Sequence, residues 1–159
     1  MKWMIIFFLF FSLSSWGNSQ DSLNPFETDY CTSYSEGTLG HPNQWKHCCV
    51  EHDLYFWAGG SSQDRKKTDL RLKSCVESTG AKFHAYLMFY GVKIGGMSPV
   101  RFISKQWGNA WGQGRSRYEK LNEQETFLVL HHLDLENSSL PLPLKNSFKQ
   151  QLLGRLESK

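Results

Sequence analysis

The stretch that most constrains this chain is Cys48-Cys49-Val50-Glu51-His52-Asp53. Two adjacent cysteines stand one helical turn before a His-Asp pair. Trp45, Cys48, Cys49, His52 and Phe56 recur at spacings of three and four, which predicts a helix over 45–57. On that helix Cys48 and His52 share a face, and Asp53 follows about 100° further round. Such a segment can carry a general base, a cation ligand and two covalent anchors on one rigid element. What it does depends on where its two cysteines are tied.

The start of the chain bears on that question. Lys2 precedes an apolar run, Met4 to Leu13, and Ser15-Trp16-Gly17 offers small residues where a signal peptidase reads. The run is too short for a transmembrane helix. Residues 1–17 therefore read as a secretory signal peptide, and the mature chain is expected to be secreted or periplasmic. In an oxidising compartment the 4 cysteines (Cys31, Cys48, Cys49, Cys75) read as two disulfides. Neighbours on a helix have diverging side chains, so Cys48 and Cys49 each reach a different partner, one of them Cys31 and the other Cys75. A thiolate zinc site that includes His52 is the weaker alternative, because thiols seldom stay reduced outside the cytosol.

Charge narrows the partners. The formal net charge is +3, and removing residues 1–17 takes away Lys2 and no acid, leaving +2. Lys and Arg are interspersed with acids rather than gathered, so nucleic acid is not an expected partner. Anionic lipid is compatible with such a surface.

Residues 18–30 read as an extended lead-in. Residues 31–44 (CTSYSEGTLGHPNQ) have no apolar periodicity and form a loop. That loop reads first as a connector. Tied at Cys31, and with Gly37 and Gly40, it can also turn carbonyls inward, as a hard cation requires. Asn43 is a candidate cap for the first helix, and Gly59-Gly60 ends it. Ser61 or Ser62 caps a second helix over 63–78, with Asp64 in its first turn. Its inner stripe holds Thr68 or Asp69, Leu72 and Cys75 or Val76. Arg65, Lys66, Lys67, Arg71 and Lys73 form an outer face expected to be solvated.

The link between these helices is short, so they are antiparallel neighbours. Cys48 lies four residues before His52, and Cys75 lies six after Asp69. The two offsets point the same way, roughly 6 and 9 Å along the pair. A Cys48–Cys75 disulfide would thus bring Asp69 close to His52.

Further on, residues 82–94 are strongly apolar, a helix packed on the first two or lying at a membrane surface. Residues 95–118 read as an aromatic, glycine-punctuated loop, and residues 119–136 and 145–156 as helices, the last loosely attached. His131-His132 has no sequence neighbour to ligate with and reads as surface or helix-end histidine. Asn137-Ser138-Ser139 is a glycosylation acceptor pattern. The expected organisation is a signal peptide (1–17), one domain (18–118) and a helical extension (119–159).

The motif from Cys48 to Asp53 resembles that of secreted phospholipase A2. The resemblance covers roughly residues 30–76, about a third of the chain. It implies an all-α fold of two antiparallel disulfide-linked helices with a calcium-type loop, followed here by further C-terminal helices. It implies the pairings Cys31–Cys49 and Cys48–Cys75, and an aspartate six residues before Cys75, which is Asp69. It also implies that His52 is the base, Asp69 its orienting partner, and Asp53 a calcium ligand with loop carbonyls, for which Tyr30, Thr32, Tyr34 or Gly37 are candidates. The expected activity is calcium-dependent hydrolysis of a phospholipid acyl ester by a monomer at a membrane surface. Trp57, Phe89, Trp107, Trp111 and Lys93 are candidates for that interface, although large aromatic side chains of this kind more often belong to the core.

There are departures. Tyr55 and Thr68 stand where the family commonly has a third disulfide. Phe56 replaces a tyrosine that usually supports the second-helix aspartate, and Tyr55 points elsewhere on the helix. The loop after Cys31 is longer and poorer in glycine, whereas the link between the helices is shorter, as in a compact bacterial-type version. These departures motivate the alternative of a catalytically inactive binding or toxin-like module. A disulfide-stapled envelope protein is a third reading.

Overall fold

The computed structural model describes residues 23–97, 106–112, 115–136 and 140–157. The expected signal peptide and the acceptor pattern at Asn137 lie outside the described residues. Among the described residues all regular secondary structure is helical: α1 (Lys46–Ala58), α2 (Ser62–Ser78), α3 (Lys82–Met97), α4 (Glu123–Glu136) and α5 (Leu142–Glu157). None of these helices is long and apolar enough to cross a membrane.

The turn between α1 and α2 follows from its sequence. Gly59 takes φ 78°, which closes α1. Ser61 then opens α2 with a capping box: its hydroxyl accepts from the Asp64 N–H, and the Asp64 carboxylate accepts from the Ser61 N–H. The other end of α1 departs from expectation. Asn43 does not cap it with its side chain; Trp45 is the cap residue. The Trp45 backbone N–H donates to the Glu36 carbonyl at 3.0 Å, and its indole N–H to the Ser35 carbonyl at 2.6 Å. A fully buried tryptophan thus fastens the preceding loop to the helix, and long-range backbone bonds take the place of a local cap.

Two disulfides hold the amino-terminal half. Cys31–Cys49 ties the loop to α1 and Cys48–Cys75 ties α1 to α2, with Cα–Cα distances of 5.1 and 5.7 Å. The bridged residues lie 18 and 27 positions apart, so each cross-link removes about 3 kcal/mol of unfolded-chain freedom in the entropic account. Two disulfides also mark an oxidising, non-cytoplasmic compartment.

α1 lies between two cores. On one side Cys48, Cys49 and Trp45 pack with Leu72, Val76, Ala81, Ala85 and Met88 of the α2–α3 pair. On the other, Leu54, Tyr55, Trp57 and Ala58 pack with Leu23, Phe26, Ala110, Val129, Leu133, Phe148 and Leu152. α5 is therefore not loosely attached: Phe148 and Leu152 are fully buried, and the Phe148 ring lies 4.8 Å from that of Tyr55. His132 is likewise not plain surface, because its ring packs on Trp57 at 5.3 Å, whereas His131 is exposed.

Residues 107–111, expected only as a loop, close the carboxyl end of α1. Helix ends leave carbonyls without intrahelical partners. Here Gly108 N–H donates to the Phe56 carbonyl, Ala110 N–H to Trp57, the Trp111 indole to Ala58 and the Trp107 indole to Gly60, at 2.7 to 3.0 Å. The fit is close: a Cβ on Gly59 would lie 2.7 Å from the Gly108 Cα.

Tyr55 enters the second core with no hydrogen-bond partner for its hydroxyl among the described residues. The Arg71 and Arg155 guanidiniums lie 5.0 and 5.3 Å from its ring. Burial pushes its hydroxyl up to about 12 from the ordinary 10, with Arg71 opposing.

Two outcomes follow. Gly59→Ala combines a positive φ with backbone contact, so it lowers stability by about 1–3 kcal/mol, read as a drop in Tm of several degrees. Tyr55 holds its proton more tightly folded than unfolded. Its contribution is whole below pH 10 and is lost as pH rises toward 12. Tyr55→Phe removes that alkaline component and an unsatisfied buried hydroxyl. Denaturant titrations at pH 8 and 11 will show the variant at least as stable at pH 8 and gaining on the wild type at pH 11.

Candidate active site

The face of α1 between the two cores carries His52. Its Nε2 lies 3.0 Å from Asp69 Oδ1 on α2, and both side chains are under 10% exposed. The sequence places these residues 17 positions apart, and the Cys48–Cys75 bridge sets the register in which they meet. An ionised carboxylate only accepts, so Nε2 carries the proton and Nδ1 is the basic nitrogen. Nδ1 has no hydrogen-bond partner among the described residues. The His52 ring lies 5.7 Å from that of Phe56, and Phe56 meets Trp107 edge-on at 5.5 Å.

Asp69 has a second charged neighbour. Arg65, one turn earlier on α2, places its Nε 3.9 Å from Asp69 Oδ2. Arg65 is only 6% exposed. Its guanidinium lies 5.1 Å from the Phe56 ring centroid, NH1 donates to the Tyr118 hydroxyl at 3.3 Å, and NH2 donates to the Val92 carbonyl at 3.2 Å. The expected solvated face of α2 is corrected here: Arg65 is buried and Arg71 half-buried over Tyr55, while Lys66 and Lys67 are exposed.

Asp53 lies one residue round α1 from His52 and is half-buried. Its Oδ2 accepts the Thr28 hydroxyl at 2.6 Å. Thr28 Oγ1 in turn accepts the Tyr30 N–H at 3.0 Å. The lead-in therefore folds back onto Asp53, and Cys31 continues it into the disulfide at Cys49, one turn before Asp53. Two non-glycine residues of this segment, Tyr30 and Ser33, have φ 60°. That left-handed backbone is sparsely populated and is held by its surroundings, including Lys46 3.6 Å over the Tyr30 ring.

The loop carbonyls divide into two groups. Those of Cys31, Ser35, Glu36 and Thr38 accept hydrogen bonds from Tyr34, Trp45, Trp45 and His41. Those of Tyr30, Thr32, Tyr34 and Gly37, the four sequence candidates, accept none from the described residues. Of these, Tyr30 is connected to Asp53 through Thr28. Thr32 is exposed with its hydroxyl on Asp29, and the Tyr34 hydroxyl bonds His84 Nδ1 at 2.7 Å, so neither side chain reaches Asp53. The oxygen groups shown together here are the Asp53 carboxylate and the Thr28 hydroxyl, donors that suit a hard divalent cation and not a thiophilic one. The one metal-like cluster of His and Cys among the described residues is His47, Cys48 and Cys75, whose sulfurs form a disulfide.

Sequence reasoning missed three members of this region. Thr28 lay in a segment without periodicity. His84, stacked on Trp45 at 4.7 Å, sits in an apolar run. Arg65 had a readable signal, the spacing of four to Asp69 on one helix. No family model, no curated protein and no solved structure matches this chain.

Proposed function

We propose that this protein is a secreted, calcium-dependent hydrolase of phospholipid acyl esters, of the phospholipase A2 type that Cys48 to Asp53 resembles. The observation that carries the reading is the His52–Asp69 contact at 3.0 Å, formed next to Asp53 between two helices joined by Cys48–Cys75.

The chemistry follows from the residues. Asp69 holds Nε2–H, so Nδ1 faces outward as the base. A water gives its proton to Nδ1 while its oxygen attacks the ester carbonyl carbon. The carbonyl π electrons move to oxygen, giving a tetrahedral oxyanion. When that intermediate collapses, the carbon–oxygen bond to the lysophospholipid breaks, and the imidazolium returns its proton to the departing oxygen. Asp53 and the carbonyls of the Tyr30 to Gly37 segment would hold the cation. When bound, calcium supplies charge to polarise the carbonyl and neutralise the oxyanion.

The lipid-facing surface is not the one first expected. Trp57 and Trp107 are 2% exposed and belong to the core, while Trp111 and Phe89 are partly buried. α3 instead exposes Phe83, Tyr86, Leu87, Tyr90 and Ile94, at helical spacings of three and four, with Lys82 and Lys93 also exposed on the helix. This apolar stripe with flanking cations suits an interfacial helix.

The Thr28–Asp53 bond favours a second reading, a module of this architecture without catalysis. In that case the threonine hydroxyl satisfies Asp53 in place of a cation.

Two measurements separate the readings. Release of fatty acid from phospholipid vesicles in calcium is expected to fall about 10²–10⁴-fold in His52→Gln. Equal hydrolysis by variant and wild type would remove His52 as the base. Calcium at a hundredfold its Kd is expected to add ~2.7 kcal/mol to the wild type, several degrees of Tm, and nothing to Asp53→Asn. An unmoved wild-type Tm at millimolar calcium would favour the inactive module.

A further inference from the structure

The carboxylate of Asp69 is 6% exposed and has two oxygens to satisfy. Oδ1 is taken by His52, and Phe56, the neighbour across the ring contact, offers no polar atom. The group that faces Oδ2 is the Arg65 guanidinium. At 3.9 Å this contact is an ion pair rather than a hydrogen bond. Arg65 has little freedom to drift from it. Its two terminal nitrogens are committed to different parts of the fold, Val92 on α3 and Tyr118 beyond it, and its face lies over Phe56. A buried guanidinium with its fork occupied on both sides is a fixed charge.

We propose that Arg65 is the positioning residue of the His52–Asp69 pair: its fixed charge holds the Asp69 carboxylate turned so that Oδ1 accepts from His52 Nε2. The proposal rests on His52 acting as the base of the hydrolase described above. Arg65 itself touches neither His52 nor, in that reading, the substrate. Its effect passes through one choice. An ionised Asp69 only accepts, which holds the imidazole as the Nε2–H tautomer with Nδ1 basic. A carboxylate freed from its ion pair can rotate off the ring. Without that acceptor the ring proton is no longer held on Nε2 and can sit on Nδ1, which blocks the base. Among the described residues, the charged or titratable groups in contact with Asp69 are His52 from α1 and Arg65 from its own helix.

The test is ring-nitrogen NMR of the whole protein labelled with ¹⁵N-histidine, beside vesicle hydrolysis. Wild type is expected to show His52 in the Nε2–H form alone. Arg65→Met is expected to show a substantial Nδ1–H fraction, with kcat down about 10- to 100-fold and KM unchanged. Arg65→Lys, which returns a cation without the fork, is expected to shift the ring back toward Nε2–H and recover part of kcat. If Arg65→Met does not fold, Arg65→Gln, which can still donate to the Val92 carbonyl, takes its place with the same expectation. A neutral variant that keeps His52 wholly Nε2–H, with only a lower Tm, overturns the proposal. The tautomer is read without substrate. A wild type that hydrolyses no phospholipid but loses the Nε2–H form in Arg65→Met would therefore reject the hydrolase and leave the positioning role standing.

Discussion

The Cys48–Cys75 bond is the constraint on which the other features depend. Two antiparallel helices can slide along each other and rotate about their axes, and apolar packing alone tolerates several registers. A covalent link one turn before His52 removes that freedom at the place where it matters. It leaves His52 and Asp69 at 3.0 Å with both side chains under 10% exposed. The second bridge, Cys31–Cys49, constrains the loop rather than the helix pair. It brings the loop and lead-in over the same turn of α1, so that Thr28 reaches Asp53. Adjacent cysteines are useful because they diverge: one anchors a helix and the other anchors a loop, from a single point on α1.

α1 can bear this load because it is gripped along its length. Trp45 fixes its start, two cores flank its middle, and residues 107–111 satisfy the carbonyls at its end. A helix with one apolar stripe would leave His52 and Asp53 on a solvated face. Burial on both sides puts them at the seam between cores, where an imidazole can be held in one orientation and a carboxylate partner is shielded from bulk water. The helices beyond Tyr118 contribute to this from a distance. Phe148 and Leu152 of α5, with Val129 and Leu133 of α4, complete the core that supports Leu54 and Tyr55. What reads in the sequence as an extension is part of the support of α1.

Local signals in the sequence were reliable where the physics is local. The periodicity of α1, the serine cap and first-turn Asp64 of α2 and the glycine stop at Gly59 all depend on residues within a turn or two. The His52–Asp69 meeting was also legible, because a short link and matched cysteine offsets reduce a tertiary question to arithmetic along two helices. Asn43 as a cap and Arg65 as a solvated cation were misread for one shared reason. Each depends on a partner far along the chain: Glu36 and Ser35 displaced Asn43 through Trp45, and Val92 with Tyr118 covered Arg65. No period within α2 reveals that. The aromatic residues show the same limit. Trp57 and Trp107 were candidates for a lipid surface by type, but Trp57 donates to the Asn24 carbonyl and Trp107 to that of Gly60 inside the fold. Three of the exposed rings, Phe83, Tyr86 and Tyr90, are on α3 instead, in a segment whose amphipathic face only packing against α2 defines.

The buried polar cluster itself argues for chemistry. An ion pair in a protein interior is a poor source of stability, since removing two charges from water costs several kcal/mol per ion. Apolar residues of similar volume would often serve a core as well or better. At the junction of α1, α2 and α3 this chain instead places an arginine, an aspartate and a histidine, each under 10% exposed, beside the apolar ring of Phe56. The cluster does not hold the helices together, because the Cys48–Cys75 disulfide and the packing of Trp45, Leu72 and Val76 already do so. What the three groups add is an imidazole held at one nitrogen by a carboxylate that an arginine backs, one residue from the half-buried carboxylate of Asp53. Packing does not require that arrangement, and the proposed hydrolysis would use it.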